Sequence, residues 1–148
     1  MKKSVPFLDR YLTVTGDESV ITFLDITESD ESTGVVSGEV LKASIQLNEY
    51  ALGKRKTFDL KLDPKGTVFQ KKVWIAMREI PYGETKTYGD LARAVGSPKG
   101  FRAVGGACNR NPIAIVQPCH RVVGSDGKLT GFFGGLDLKQ KLLDFEKR

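Results

Sequence analysis

The tetrapeptide "DPKG" at residues 63–66 separates two stretches of different charge and pattern, and this break limits the fold more than any other feature. Residues 1–64 carry 8 Lys and Arg against 11 Asp and Glu, a net −3, whereas residues 65–148 carry 15 against 7, a net +8. A chain of 148 residues can bury one good core, or a small domain beside a slightly larger one. The expected organisation is therefore an N-terminal domain over 1–64 and a basic domain over 65–148. The basic half is the candidate polyanion binder.

The hydrophobic share of 40% and charged share of 28% are those of an ordinary globular protein. No apolar run approaches the ~20 residues of a membrane span, and "MKKSVPFLDRYL" contains no signal-peptide core before charge intervenes. The expected compartment is the cytoplasm, where thiols stay reduced and a disulfide between the two cysteines, Cys108 and Cys119, is disfavoured. One histidine and two cysteines without a CxxC spacing do not make a zinc site, so no metal is expected.

In the first half, residues 5–15 and 20–26 read as strands joined by a "GDES" hairpin turn, and "ESTGVVSG" as a polar loop. The acidic run "DITESDES" reads as a solvated loop. An amphipathic helix is predicted from Glu39 to Leu52, closed by Gly53, and "KTFDLKL" alternates like a strand.

The second half has helical signals. Thr67 and Gln70 form a capping-box pattern, followed by Phe69, Val73, Ala76 and Ile80 at helical spacing until Pro81 and Gly83. Thr87 opens a short helix ending at Gly96, and Ser97 is expected to cap a third with Pro98 at its first position. Two short helices and a tight turn fit a helix-turn-helix, and equally a helical hairpin within a core. The third segment, "PKGFRAVGGACNRNP", holds small residues where a major-groove reader carries long ones. Its two inner glycines cost roughly 1 kcal/mol each relative to alanine. Close approach to a narrow groove is one compensation, with Lys99, Arg110 and helix amides on phosphates and Arg102 projecting into the duplex. Close packing on another helix is the other. Cys108 is expected in the core, as are Trp74, Leu138, Leu142 and Phe145.

The stretch "IVQPCHRVVG" sets Cys119 beside the only histidine, His120. A thiol near pKa 8.5 is mostly protonated at neutral pH, so a catalytic cysteine wants a base nearby. Neighbouring side chains of an extended segment point apart, which favours a bridging water between Cys119 and His120, with Pro118 stiffening the mount. A buried, inert cysteine is the alternative.

Together, "FQKKVW", "IPYGETKTYGDLA", "FRAVGGACNRNP", "PCHRVVG" and "GGLDLKQKLLDFE" over residues 66–146 resemble the O6-alkylguanine-DNA alkyltransferases, also called methylated-DNA-protein-cysteine methyltransferases. The resemblance implies a mixed α+β chain. Its variable N-terminal domain, matched by position alone, is usually RNase-H-like, and a mostly helical winged-helix domain with a helix-turn-helix follows. It makes Cys119 the acceptor nucleophile, His120 its base through water and Glu146 the carboxylate that orients the imidazole. Asn111 joins the recognition helix to the cysteine segment, and Tyr88 is the proton donor to departing guanine. Arg102 fills the hole left by the flipped base. The DNA surface is then Thr87, Lys99, Gly100, Arg102, Ala103, Gly106, Ala107 and Arg110, and the pocket Tyr88, Val122, Phe132, Phe133 and Gly134.

The chemistry so implied is direct reversal of damage: the alkyl group of O6-alkylguanine, with O4-alkylthymine a further candidate, passes irreversibly to Cys119 after minor-groove binding and base flipping. It needs no cofactor and no metal, takes double-stranded DNA as partner, and suits a monomer with no obligatory protein partner. Three other readings remain open on the sequence. An alkyltransferase-like sensor carries tryptophan at the cysteine position, a cysteine hydrolase would turn over, and a winged-helix regulator would bind without alkylation. The chain departs from the family in "GFFGG", after the expected wing turn "GSDG". Phe133 stands there in a slot that is small or polar in relatives, which leaves only a backbone N–H to meet the substrate oxygen, with the Phe133 ring expected to turn outward and Phe132 to form a pocket wall.

Overall fold

The computed structural model describes residues 1–132 and 134–147. The chain forms two compact units, Met1–Lys65 together with Pro112–Ala114, and Gly66–Asn111 together with Ile115–Arg148. No helix among the described residues is long and apolar enough to cross a membrane.

The first unit is a three-stranded antiparallel sheet, β1 (Lys2–Phe7), β2 (Arg10–Gly16) and β3 (Ile21–Thr27) in that order, with helix α1 (Gly38–Ala51) packed on it. The single strand expected over 5–15 is in fact a hairpin. Its tight turn carries Leu8 at φ 54°, and no glycine or asparagine marks it in the sequence. At the "GDES" turn the Asp17 carboxylate accepts from the amides of Ser19 and Val20, as a turn aspartate does. Helix α1 buries Val40, Ala43, Leu47 and Tyr50, and Gly53 follows it at φ 75°, a left-handed stop that glycine adopts freely.

"KTFDLKL" is not a strand: only Leu62 bridges, to Ile21. The Ile21 amide donates to Lys61 O, but the Asp59 amide and carbonyl and the Lys61 amide are met by side chains of α1. Gln46 brackets Asp59 through both amide atoms, and Glu39 accepts from the Lys61 amide. Alternation in the sequence therefore marks one side facing the helix rather than a ladder. The chain returns at Pro112–Ala114, where Leu24 donates to Pro112 O and Ala114 donates to Leu24 O.

The second unit is helical, with a two-residue parallel pair, β4 (Lys86–Thr87) and β5 (Val122–Val123). Helix α2 (Val68–Arg78) begins in a complete Thr67/Gln70 capping box, and α3 (Tyr88–Ala94) in a Thr87/Asp90 one. Helix α4 (Phe101–Asn109) starts three residues later than Ser97-Pro98 suggests. Residues 97–100 form a turn closed by the Gly100 amide on Ser97 O, so Gly100 is the N-cap and no side chain caps the helix.

Trp74, Met77, Val104, Cys108 and Cys119 share one apolar core, and the Trp74 indole donates to Ala107 O at 2.8 Å. A Cβ on Gly66 would lie 2.4 Å from the Trp74 ring, so this close approach requires glycine. Helix α5 (Leu136–Glu146) buries Leu138, Leu142 and Phe145. The "GSDG" segment does turn, with the Gly124 amide on Lys128 O, but no return strand follows among the described residues.

Candidate active site

Cys119, His120 and Arg121 form a single 3-10 turn that precedes β5, with Pro118 at φ −81° and ψ 69° ahead of it. The segment is thus curled rather than extended, and the expectation that neighbouring side chains diverge does not apply. Upstream, Ile115 sits at φ 69°, a left-handed conformation that costs a β-branched residue on the order of 1–3 kcal/mol. The buried surroundings hold it there.

The turn aims two side chains, His120 and Arg121, at the end of α5. His120, 1% exposed, bonds through Nε2 to Glu146 Oε2 at 2.8 Å, and Arg121 grips the same carboxylate through Nε at 2.8 Å and Nη2 at 3.0 Å. Arg121 Nη1 also donates to Ile80 O, which anchors the cluster to the end of α2. Burial pushes the Glu146 carboxyl up, but the hydrogen bonds and charges of His120 and Arg121 outweigh it, leaving the group well below the ordinary range. Burial likewise drives the imidazole pKa down, against the pull of Glu146. His120 is therefore neutral, donates from Nε2 and keeps a lone pair on Nδ1. Nδ1 is buried with no hydrogen-bond partner among the described residues.

Cys119 is buried, and burial pushes its thiol up to about 11, opposed by a hydrogen bond from the Asn111 side chain and the Lys139 charge. The sulfur is consequently protonated and inert until a base acts. Asn111 is itself clamped: its Nδ2 donates to Gln117 O at 2.7 Å and its Oδ1 accepts from Gln117 Nε2 at 2.8 Å.

Tyr88 opens α3, and its hydroxyl accepts from Thr130 Oγ1 at 3.2 Å. Burial raises its pKa, so the phenol keeps its proton. Lys139 is fully buried, donates to Thr130 O, and lies 5.9 Å from the Tyr88 ring centre. Val122 is buried in the core, and Phe132 packs against its edge. Gly134 is pressed on α5, where a Cβ would come 2.5 Å from Leu138. Phe133 lies outside the described residues, and so does the expectation for its ring.

The candidate DNA surface divides. Lys99, Arg102, Ala103, Gly106 and Arg110 are exposed on or beside α4, and Arg102 makes no hydrogen bond or ion pair among the described residues. A Cβ on Gly106 would meet nothing within 4 Å, and one on Gly105 only the Tyr88 ring at 4.0 Å. Close packing within this chain therefore does not explain the glycines. Ala107, expected on that surface, is instead buried with its carbonyl held by Trp74, because the helix turns this position inward. The Thr87 hydroxyl is committed to capping α3.

Four residues were not anticipated: Arg78, Gln117, Arg121 and Lys139. In the sequence a buried arginine or lysine looks like any surface one. Only the placement of Arg121 directly after the Cys-His pair hints at its role. No group of three or more His, Cys, Asp or Glu side chains among the described residues is arranged to hold a metal.

A mixed α/β chain whose helical unit buries a cysteine next to a carboxylate-held histidine and exposes a helix of small residues fits the class of transferases that work through a cysteine. The family model described as "6-O-methylguanine DNA methyltransferase, DNA binding domain" matches residues 68–148. The methylated-DNA–protein-cysteine methyltransferase of Methanosarcina acetivorans is 50% identical over 139 residues, covering 90% of this chain and 89% of that protein. The protein of the same name from Mycobacterium tuberculosis strain H37Rv is 46% identical over 145 residues, covering 92% and 86%. The crystal structure of Mycobacterium tuberculosis OGT in complex with DNA matches with a TM-score of 0.87 and 44% identity, covering 99% of this chain and 92% of that one. The chain belongs to the 6-O-methylguanine DNA methyltransferase family.

Proposed function

We propose that the protein repairs alkylated DNA by direct reversal, moving the alkyl group of O6-alkylguanine in a duplex onto Cys119 in one irreversible turnover. The observation that carries this reading is His120 Nδ1, a buried lone pair without a hydrogen-bond partner among the described residues, on an imidazole held neutral by burial and oriented by Glu146, next in the chain to a buried thiol that needs a base. Relatives of 50% and 46% identity named methylated-DNA–protein-cysteine methyltransferases support the substrate class.

In this reading His120 draws the Cys119 proton through a water, and Glu146 stabilises the imidazolium that results. The thiolate attacks the alkyl carbon in line; the S–C bond forms as the C–O6 bond breaks. Guanine leaves protonated on a ring nitrogen, with Tyr88 as donor. The proton lost by the thiol balances the one guanine gains, so no cofactor is required. The product thioether cannot be cleaved by any group in the site, and each molecule acts once. Arg121 and Lys139 join the set as positioning and charge-balancing groups.

The base must leave the stack first, at a cost of a few kcal/mol. Helix α4 enters the minor groove by its exposed small residues, Lys99 and Arg110 meet phosphates, and Arg102 occupies the vacated position. We read the α3–α4 pair as the helix-turn-helix of a winged-helix domain and the sheet with α1 as the RNase-H-like domain, the protein acting as a cytoplasmic monomer. Cys119→Ala tests the assignment: it should bind alkylated duplex close to wild type in a mobility-shift titration and acquire no alkyl group by mass spectrometry. Alkyl transfer retained by the variant would reject the nucleophile.

A further inference from the structure

Gln117 lies just ahead of the Pro-Cys-His segment, is 0% exposed, and has both amide atoms committed. Its Oε1 accepts from Arg78 Nη2 at 2.8 Å, and its Nε2 donates to Asn111 Oδ1 at 2.8 Å. Asn111 in turn donates from Nδ2 to Gln117 O, and its side chain hydrogen-bonds the Cys119 sulfur. Arg78 forms no ion pair among the described residues; its side chain reaches solvent, and its Nη2 end is turned onto the Gln117 amide.

We infer that Arg78 and Gln117 are positioning residues for Cys119, forming a hydrogen-bond relay that orients and polarises the Asn111 amide toward the sulfur. The direction of the relay is fixed by chemistry. A guanidinium can only donate, so the Gln117 oxygen must face Arg78 and its NH2 group must face Asn111. That requires the Asn111 oxygen to face Gln117 and its NH2 group to face the sulfur, the orientation that stabilises a thiolate. The backbone acceptor at Gln117 O demands the same orientation, so neither amide is free to flip. Bonds that point one way along a buried chain strengthen one another, and here a cation stands at the donor end. Burial of Gln117 without such a role would cost desolvation that an apolar residue avoids.

The inference rests on the alkyltransferase reading and is tested in a way that separates the two. Transfer from free O6-benzylguanine needs no DNA: the benzyl carbon bonds to Cys119 sulfur, its bond to O6 breaks, and guanine leaves with the thiol proton. Single-turnover rates are measured by mass spectrometry for Arg78→Met, Arg78→Lys and Gln117→Leu, each alone and with Asn111→Ala, with circular dichroism reporting the folded fraction. Arg78→Met and Gln117→Leu should slow transfer about three- to tenfold, the effect of up to about one unit in the thiol pKa. Arg78→Lys should recover at least half of the logarithmic loss, and neither substitution should slow Asn111→Ala further. Equal slowing with and without Asn111→Ala, or no slowing when Asn111 is intact, would overturn the relay. Wild type that takes no benzyl group on Cys119 would instead overturn the alkyltransferase reading. Arg78 is exposed at the surface, so its variants keep the test open where Gln117→Leu fails to fold.

Discussion

A thiol pushed to about 11 exists at pH 7 as thiolate in only about one molecule in ten thousand. Such a sulfur is spared chance electrophiles, and in the proposed mechanism it reacts where a base and a bound alkyl carbon meet it. His120, the proposed base, is held by Glu146, and Glu146 by Arg121, so the three form a unit. Glu146→Gln keeps an acceptor for His120 but leaves the buried Arg121 cation unmatched, which should cost about 3–5 kcal/mol of stability and slow transfer. Urea unfolding and single-turnover rates check both, and an unchanged midpoint would show that Arg121 is solvated. Tyr88→Phe should slow transfer while DNA affinity stays near wild type; an unaltered rate would remove Tyr88 as proton donor. The Cys119–His120 adjacency is plain in the sequence. The His120–Glu146 pair spans 26 residues and was legible only through the family resemblance. Gln117 carries no such signal, and Arg121 only its place directly after the Cys-His pair, because burial of a polar side chain is decided by partners distant in the chain.

Helix α4 shows what local patterns can and cannot carry. Its glycines occupy open space, and since the protein has no use for the gap, replacing Gly106 tests what else does. Gly106→Ile should fold normally, with stability within about 1 kcal/mol of wild type. Duplex affinity should fall, because the added side chain blocks close approach. Fluorescence anisotropy with duplex DNA reads this, and unchanged affinity would move the DNA contact away from α4. Arg102→Ala should slow repair of duplex more than transfer from free O6-benzylguanine, which needs no flipping. Helices α2 and α3 were legible because each capping box is satisfied within four residues. The start of α4 was not, because Ser97-Pro98 is equally suited to the turn it makes. The β1–β2 turn is weakly marked, since Leu8 rather than glycine or asparagine takes its left-handed position and Asp9 alone is a turn-prone residue, and the alternation of "KTFDLKL" reflects partners that are side chains of α1.

At the scale of the whole molecule, the buried titratable groups define a pH window for stability. His120 in the fold lies below its free value of 6.5, so its contribution is present above 6.5 and lost as pH falls through the lower folded value. Glu146, depressed from 4.5, removes a second contribution at still lower pH. Cys119 and Cys108 are raised from 9.0 to about 11 and about 12, so their contributions are present below 9 and lost as pH rises through those values. Tm should therefore be highest between about pH 6.5 and 9 and fall on both sides in scanning calorimetry; a Tm that rises below pH 6 would contradict the neutral, buried His120. The break near residues 63–66 and the charge asymmetry anticipated two stretches of different character, but not the return of Pro112–Ala114 to the first unit. The central claim is that this chain is consumed by its own reaction at Cys119. Duplex DNA bearing radiolabelled O6-methylguanine, supplied in several-fold excess, measures this directly through label bound to protein over time. The account predicts a plateau at one label per protein molecule, all of it on the Cys119 peptide. Label released to solvent, continued turnover past one equivalent, or label on another residue would contradict it.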